Sequence, residues 1–262
     1  MAINERLIDT EVAAANGGGG AADAEQGLIL HLDANDVDSY DGDGSVWYDV
    51  STYDVTVPLS DNADDLELHL NASDSTSYDP DTDTTTWTDI SGNSNDGTLT
   101  SLTNTDFDKD NGGYFHLDGS SDKIDVGNIS AFNTTNSFTL EFWENRDDTN
   151  ENCLAAKGTY PSNKGWFFSY NPTYGYYFFD YGTSSYVRAG SSYSAGKWRH
   201  VVLTWNASTK TPNLFVDGED VSATVGIGTG TGTNNTVSMQ IGNGVGRAGV
   251  QAGFDGKLGL VR

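Results

Sequence analysis

Two glutamates lie close together in a strand-like run of this sequence, but their spacing does not suit a catalytic pair of carboxyl groups. Glu141 and Glu144 lie three positions apart in the run SFTLEFWENR, which alternates apolar and polar residues as a strand does. Successive side chains of a strand point to opposite faces, so these two carboxyl groups should not meet in one cleft as acid and nucleophile. The sequence also lacks the G-x-S-x-G, H-E-x-x-H and phosphate-loop patterns. We therefore expect a protein without enzymatic activity.

A cluster of aromatic residues offers a different chemistry, stacking on a bound ligand. Gly165–Tyr170 and Tyr176–Asp180 are strand-like and are separated by the polar turn Asn171–Gly175. The candidate binding residues are Trp166, Tyr170, Tyr174 and Tyr176. Tyr174, at the turn, should be the most exposed of them. The alternative is that most of these rings fill a sandwich core, which also uses aromatic residues.

The charge of the chain is strongly negative and unevenly distributed. Residues 1–112 hold 25 of the 38 acidic residues and only two bases, Arg6 and Lys109. Such a surface should repel nucleic acid and anionic lipid, and it should attract divalent cations or a basic partner. The alternative is that the acidity only keeps an exposed protein soluble. Cys153 is the single cysteine, so the chain cannot form an internal disulfide.

Residues 1–26 have the pattern of a short anchor peptide followed by a flexible linker. Ile3, Leu7 and Ile8 would share one side of a short helix, and Gly17–Gly20 would act as a hinge. This arrangement suits docking into a larger assembly, and a disordered tail is the alternative. The segment lacks the basic and apolar regions of an export signal. No run in the chain approaches the roughly 18 apolar residues of a membrane span.

An internal repeat follows, and it divides the remainder into a first acidic module (27–64) and a larger domain (65–262). The matched residues are Leu28, His31, Ser39 and Tyr40 with Leu66, His69, Ser77 and Tyr78, then Trp47, Asp49 and Ser51 with Trp87, Asp89 and Ser91. A Trp placed alike in both copies favours a core position. A unit of 38 residues is too small to bury a core alone, so the first copy must pack on the second copy, on the sandwich or on another subunit.

The segment Trp198–Val221 carries the clearest strand pattern. Its residues 198–205 are β-branched and aromatic, 206–212 form a polar turn, and Asp217-Gly218 is a typical two-residue hairpin turn. The strings W-x-H-V-x-x-x-W and L-x-V-D-G resemble those of the laminin G-like, concanavalin A-like lectin family. Residues 66–99 resemble the segment that leads into such domains in structural proteins of marine phages. The resemblance covers about residues 66–262 and implies an all-β jelly-roll sandwich.

The resemblance also implies functional features, which we carry forward as expectations. Family members often hold one calcium ion at the rim of the sandwich, where Asp118, Asp122 and Asp255 are the candidate ligands by position. The alternative is that these acids are simply solvated. We expect a phage virion protein, a fibre or capsid-surface decoration, that adheres to host-surface glycans.

Such a protein would be made in the host cytoplasm without a signal peptide and displayed on the virion surface. It would contact other virion proteins through residues 1–26, form a homo-oligomer with a trimer favoured, and neither bind nucleic acid nor insert in a membrane. The alternatives are a purely structural assembly protein that binds no glycan, and a carbohydrate-binding module of a surface enzyme.

Overall fold

The computed structural model describes residues 66–109, 113–159, 163–245 and 251–262. The anchor peptide predicted at 1–26 and the first repeat module predicted at 27–64, with Trp47, lie outside the described residues. None of the helical structure among the described residues is long and apolar enough to cross a membrane.

Two antiparallel sheets make up the fold, with strands numbered in chain order. The first sheet has the spatial order β14 (Glu219–Asp220), β13 (Thr211–Val216), β12 (Arg199–Asn206), β7 (Phe138–Arg146), β19 (Asp255–Val261), β5 (Tyr114–Asp118), β4 (Phe107–Asp108), and β1 (Leu70–Asn71) also pairs with β19. The last described strand therefore lies in the interior of the sheet.

The second sheet is wider and lies on the other side of the core. Its order is β15 (Thr224–Gly226), β11 (Tyr186–Arg188), β10 (Gly175–Asp180), β9 (Asn163–Asn171), β8 (Asn152–Thr159), β16 (Met239–Ile241), β6 (Lys123–Asp125), β3 (Gly97–Thr100), β2 (Thr86–Trp87). A small hairpin, β17 (Asn243–Val245) with β18 (Gln251–Gly253), and a 3-10 turn at Ser130–Phe132 complete the described elements. The predicted all-β jelly-roll sandwich is confirmed.

Strand alternation explains how the core forms. In β7 the side chains of Phe138, Leu140 and Phe142 are buried, whereas Thr139 and Trp143 are exposed on the outer face. The neighbouring strand β12 follows the same rule, with Val201, Leu203 and Trp205 turned into the core. Burial of each such side chain stabilises the fold by roughly 1.5–3 kcal/mol. The two sheets therefore share one continuous apolar core.

The hairpin predicted from the sequence is present. Strands β12 and β13 pair in antiparallel register, with Val202 opposite Phe215. Asp217 and Gly218 join β13 to β14, where Val216 pairs with Glu219, and both adopt positive φ, at 53° and 84°, as a two-residue hairpin turn of this type requires. Both the strand pairing and the turn are therefore confirmed. Trp198 directly precedes β12, and His200 lies at its start.

The second copy of the repeat is integrated into the sandwich. Trp87 is fully buried, and its ring lies 4.8 Å from that of Phe115 in β5. The core position predicted for Trp87 is thus confirmed. The adjoining loop is held by Asp89, whose carboxylate accepts hydrogen bonds from the amides of His69, Ser91 and Asn95 and from the Ser91 hydroxyl.

Candidate functional site

Three of the four aromatic residues predicted to bind a ligand belong to the core. Trp166 is 2% exposed, and Tyr170 and Tyr176 are fully buried. The Trp166 indole donates a hydrogen bond to the carbonyl of Phe132 at 2.7 Å. The prediction of binding platforms at these three positions is therefore wrong, because their faces pack between the sheets.

Tyr170 and Tyr176 accommodate a buried pair of charged residues. The Arg146 guanidinium lies 3.4 Å from the centre of the Tyr170 ring, and the Tyr176 hydroxyl donates to the Glu144 carboxylate. Arg146 also donates to the carbonyl oxygens of Asp148 and Tyr193. Burial raises the pKa of both Glu144 and Tyr176. Tyr170 contacts the buried Arg146, and Tyr176 contacts the buried Glu144. Neither ring can therefore stack on a ligand.

Tyr174, the fourth predicted residue, lies at the β9–β10 turn and is partly exposed. The Arg188 guanidinium lies 4.0 Å from the centre of its ring and 4.7 Å from that of Tyr186. A cation this close contacts one ring face favourably. That face of Tyr174 is therefore not free to stack on a sugar.

An open groove on the outer face of the first sheet presents two exposed tryptophans instead. The side chains of Trp143 and Trp198 are 43% and 36% exposed, which is unusual for residues of this size. They flank a space of about 430 Å³, which we call the aromatic groove. Its other lining residues are Asn71, Ser73, Gly113, Gly259 and Leu260.

Trp143 is held in place by its neighbours on the sheet. Its ring stacks on that of His200, the directly paired residue of β12, with centroids 5.2 Å apart and planes 29° from parallel. His200 Nε2 lies 2.8 Å from Glu141 Oε1, and Arg262 Nε donates to Glu141 Oε2 at 2.5 Å. Burial alone would raise the pKa of Glu141, but the hydrogen bonds and charges of Arg262 and His200 outweigh burial and lower it. The chain of contacts fixes the orientation of the Trp143 ring.

Trp198 packs against Tyr114 and lies close to Gly259. Its ring packs edge-on against Tyr114 of β5, with centroids 5.9 Å apart. A Cβ added at Gly259 would contact the Trp198 ring at 3.5 Å, so any longer side chain there would enter the groove. Gly259 also coincides with the register shift of β19 against β7, between Leu258 and Leu260. The irregularity leaves an open floor between the two tryptophans.

Polar groups lie along one edge of the groove. Asn71 Oδ1 accepts hydrogen bonds from the Ser73 amide at 3.0 Å and from the Ser73 hydroxyl at 2.7 Å. The turn that follows β1 thus holds an amide side chain and a hydroxyl next to the apolar surface. Concave apolar surface with a few fixed polar groups is the usual composition of a small-molecule site.

The acids predicted to bind calcium do not form one ligand set. Asp118 Oδ1 accepts from the amides of Ser120 and Ser121, and Asp122 Oδ2 accepts from the Asp118 amide at 3.0 Å. Both carboxylates therefore stabilise the β5–β6 turn. The hydrogen bonds from the turn lower the pKa of Asp118, whereas burial raises that of Asp122.

A different triplet meets at the same end of the sheet, and we call it the acidic rim. Ligand atoms of His116, Asp147 and Asp255 all lie within 4.8 Å of one another, and His116 Nε2 is 2.7 Å from Asp147 Oδ2. Burial, and then the charges of Asp148 and Asp147, raise the pKa of Asp255. Asp255, one of the three predicted ligands, thus belongs to a set that the sequence did not indicate.

Comparison with known proteins agrees with the fold and the sequence motifs. Residues 118–262, more than half of the chain, match the concanavalin A-like lectin/glucanases superfamily. The chain belongs to this family, and its fold is that of lectins and carbohydrate-binding domains. A search of curated proteins finds no match.

Two solved structures illustrate the likeness. One is domain 4 of AbnA, a GH43 extracellular arabinanase from Geobacillus stearothermophilus, in complex with arabinotriose; it is 15% identical, covers 75% of this chain and 90% of that one, and gives a TM-score of 0.51. The other is the sialidase of Trypanosoma rangeli, 18% identical over 74% of this chain but only 30% of the sialidase, with a TM-score of 0.50. At these identities the likeness concerns the fold.

Sequence reasoning missed Trp143 and Trp198 as site residues, although part of the signal was available. The alternation of SFTLEFW places Trp143 on the face opposite Phe138, Leu140 and Phe142, which predicts exposure. Trp198 lies one residue before β12, so its direction depends on the preceding loop. Its partners Tyr114 and Gly259 are distant in sequence, and no local pattern connects them.

Proposed function

We propose that this protein is a non-enzymatic glycan-binding protein whose sandwich holds a sugar chain in the aromatic groove. The observation that carries the proposal is the pair of exposed tryptophans, Trp143 and Trp198, facing one open space with Asn71 and Ser73 at its edge. Flat apolar rings stack on the C–H faces of sugars, and neighbouring polar groups bond to the hydroxyls. The fold of the family is consistent with this role.

The absence of enzymatic activity is part of the proposal. Sugar hydrolysis needs two carboxyl groups on either side of the scissile bond. None of the groove's described lining residues is acidic. The nearest candidates by sequence are engaged elsewhere, because Glu141 is bound to His200 and Arg262 and Glu144 is buried against Tyr176.

Substitution of the two tryptophans tests the proposal. Trp143→Ala and Trp198→Ala should each weaken binding to an immobilised glycan array by about tenfold or more, since exposed aromatic residues at a site centre contribute most of its affinity. Ile227→Ala is the matched control, because Ile227 is 61% exposed beside the edge strand of the other sheet. Equal binding by all four proteins, with unchanged circular dichroism, would contradict the proposal.

The biological setting we propose is the surface of a phage virion, as a fibre or capsid decoration that adheres to host glycans. The lead-in motif at 66–99, the acidic N-terminal part and the anchor-like peptide at 1–26 support this setting. Residues 1–26 would join the protein to other virion proteins, and a trimer is the favoured oligomer. Deleting residues 2–15 should leave a folded sandwich that no longer enters its assembly. Normal incorporation of the truncated protein would contradict the docking role.

A purely structural role is the second candidate, and one observation favours it. Val225 and Ile227 are exposed apolar residues at β15, which is the edge strand of the second sheet. Exposed edge strands can pair with another chain. If Val225→Lys disrupts the oligomer while no glycan binds the wild-type protein, the structural role replaces the lectin role.

We also propose that a divalent cation, calcium first among them, binds at the acidic rim. The convergence of His116, Asp147 and Asp255 supports the site. Burial first, and then repulsion from neighbouring carboxylates, raises the pKa of Asp255, and a cation would relieve that repulsion. Carboxylate oxygens are suited to calcium, whereas the imidazole nitrogen favours softer metals. Comparing calcium with zinc in the same titration therefore decides which ion the rim prefers.

A further inference from the structure

We infer that the aromatic groove selects uncharged sugars and discriminates against glycans that carry a carboxylate, such as sialic or uronic acids. The inference rests on the proposed glycan-binding function and adds the ligand class. It concerns the residues of the groove and the charges that surround it on the outer face of the first sheet.

The described lining of the groove contains no charged partner for an anion. Trp143, Trp198 and Leu260 supply apolar surface, Gly113 and Gly259 supply backbone, and Asn71 and Ser73 supply neutral polar groups. None of these described lining residues carries a basic side chain. A carboxylate that enters such a site loses water without gaining a charged partner, and this desolvation opposes binding. Sugar hydroxyl groups have a smaller desolvation cost, because neutral amide and hydroxyl groups of the protein can replace their hydrogen bonds to water.

Two cationic or titratable side chains beside Trp143 already share a partner. Arg262 is bound to Glu141 through two nitrogens, and His200 contacts the same carboxylate while it stacks on Trp143.

Two lysines lie outside the lining of the groove. The Lys257 amine lies 5.5 Å from the centre of the Tyr114 ring. Lys197 precedes Trp198 in the chain and is exposed, but it is not among the residues that line the groove. An anionic sugar would have to displace the contacts of Arg262 or His200, or extend beyond the lining to a lysine, to obtain a cation.

Acidic residues lie further along the same face. Asp147 follows Trp143 by four residues and is therefore roughly 13 Å away at the rise of a strand. Asp255 and Asp118 are directly paired across β19 and β5 in the same region. Beyond about 8 Å such charges are screened at physiological salt, whereas at 0.01 M salt their repulsion extends to about 30 Å. The discrimination should therefore be greatest at low ionic strength.

Matched pairs of glycans test the inference. The full chain is titrated with lactose and sialyllactose, with xylotriose and its glucuronic acid-substituted form, and with neutral galactan and galacturonan fragments, each at 10 and 150 mM salt. The neutral member of a bound pair should bind at least about tenfold more tightly than the carboxylated member at 10 mM salt. This ratio of the two affinities should be smaller at 150 mM salt. Trp143→Ala and Trp198→Ala should each weaken binding of the neutral member by about tenfold or more.

A charge introduced at the edge of the groove provides a gain-of-function variant. Ser73→Lys places a cation beside the site, and it should raise the affinity for the carboxylated member and reduce the ratio severalfold. Ser73→Gln is the matched control, since it removes the same hydroxyl without adding charge. It should change the affinity for both members of a pair alike and so keep the ratio of their affinities.

The outcomes separate the inference from the function on which it rests. If a carboxylated member binds as tightly as its neutral partner or more tightly, and the tryptophan substitutions still weaken that binding, the selectivity is overturned and the glycan-binding function is kept. If no member of any pair binds, or if both tryptophan variants bind as tightly as the wild-type protein, the function and the inference are overturned together.

Discussion

Removing the Asp89 carboxylate should destabilise the whole sandwich, because this side chain joins the repeat segment to the fold. Asp89 is buried and accepts four hydrogen bonds, at 2.8 Å from the His69 amide, 2.9 Å from the Ser91 amide, 2.8 Å from the Ser91 hydroxyl and 2.9 Å from the Asn95 amide. The loop it organises also sends the side-chain amides of Asn93 and Asn95 to the carbonyl oxygens of Leu66 and Glu67.

The magnitude follows from the number and type of these bonds. Hydrogen bonds to a charged group contribute roughly 1.5–3 kcal/mol each, and water replaces part of that loss at half-buried donors. We therefore expect Asp89→Ala to lower the free energy of unfolding by about 3–4 kcal/mol. Asp89→Asn should lower it by about half as much, because the amide keeps one acceptor oxygen but turns an NH₂ group toward a donor.

Urea unfolding monitored by tryptophan fluorescence measures these differences at an unchanged m value. Asp220→Ala is the matched control, since the Asp220 carboxylate is exposed and its described partner is Ser222, whose amide donates to it at 2.9 Å. Its loss should be below about 1 kcal/mol. The reasoning is refuted if Asp89→Ala destabilises the protein no more than Asp220→Ala does.

Three further predictions concern the core, the rim and a buried lysine. Trp87→Ala should cost the sandwich about 3–5 kcal/mol in urea unfolding, whereas Trp47→Ala should leave that transition unchanged; equal losses would contradict this division. Calcium at 100 times its dissociation constant should stabilise the native state by about 2.7 kcal/mol and raise its melting temperature, with a smaller shift in Asp255→Asn; a melting temperature unaffected by calcium at low salt would rule the site out. Burial lowers the pKa of Lys157 from 10.5 to about 8. Below pH 8 the buried amine is charged, and this charge destabilises the native state. The destabilisation is relieved as the pH rises from 8 to 10.5, because the native state then binds fewer protons than the unfolded state. The wild-type protein should therefore gain stability relative to Lys157→Met over that interval, and parallel pH profiles would refute the assignment.

The sandwich was predictable because its signals are local. The alternation in β7 and β12 and the Asp217-Gly218 turn are patterns of neighbouring residues, and they determine strand direction and register directly. The burial of Trp87 was also predictable, since its place in the repeat was matched by Trp47.

The candidate site was only partly predictable, because residue type does not decide exposure. Trp166 and Trp143 both lie in strands of similar composition, yet the first fills the core and the second lines the groove. The sequence offered no means of knowing that Arg146 would be buried against Tyr170, which commits that tyrosine to the interior. The predicted set of calcium ligands differs from the acidic rim for a related reason, since the carboxylates of Asp118 and Asp122 accept hydrogen bonds within their own turn.

The two copies of the repeat differ in sequence at positions that make structural contacts in the second copy. Asp49 and Ser51 preserve the residues equivalent to Asp89 and Ser91, but Tyr53 and Val55 occupy the positions equivalent to Asn93 and Asn95. Neither replacement carries the side-chain amide that Asn93 and Asn95 use to donate to the carbonyl oxygens of Leu66 and Glu67.

The interior position of β19 has a consequence for how the protein is synthesised. This strand pairs with β7 on one side and with β5 and β1 on the other, so it joins segments more than 100 residues earlier in the chain. Until it emerges from the ribosome, β7 and β5 present unpaired edges, and unpaired edges promote association between chains. The pairing of β19 that completes the first sheet is thus a late event. It joins residues far apart in sequence, and such contacts slow folding. Expression yield should accordingly depend on translation rate and temperature more steeply than native-state stability does.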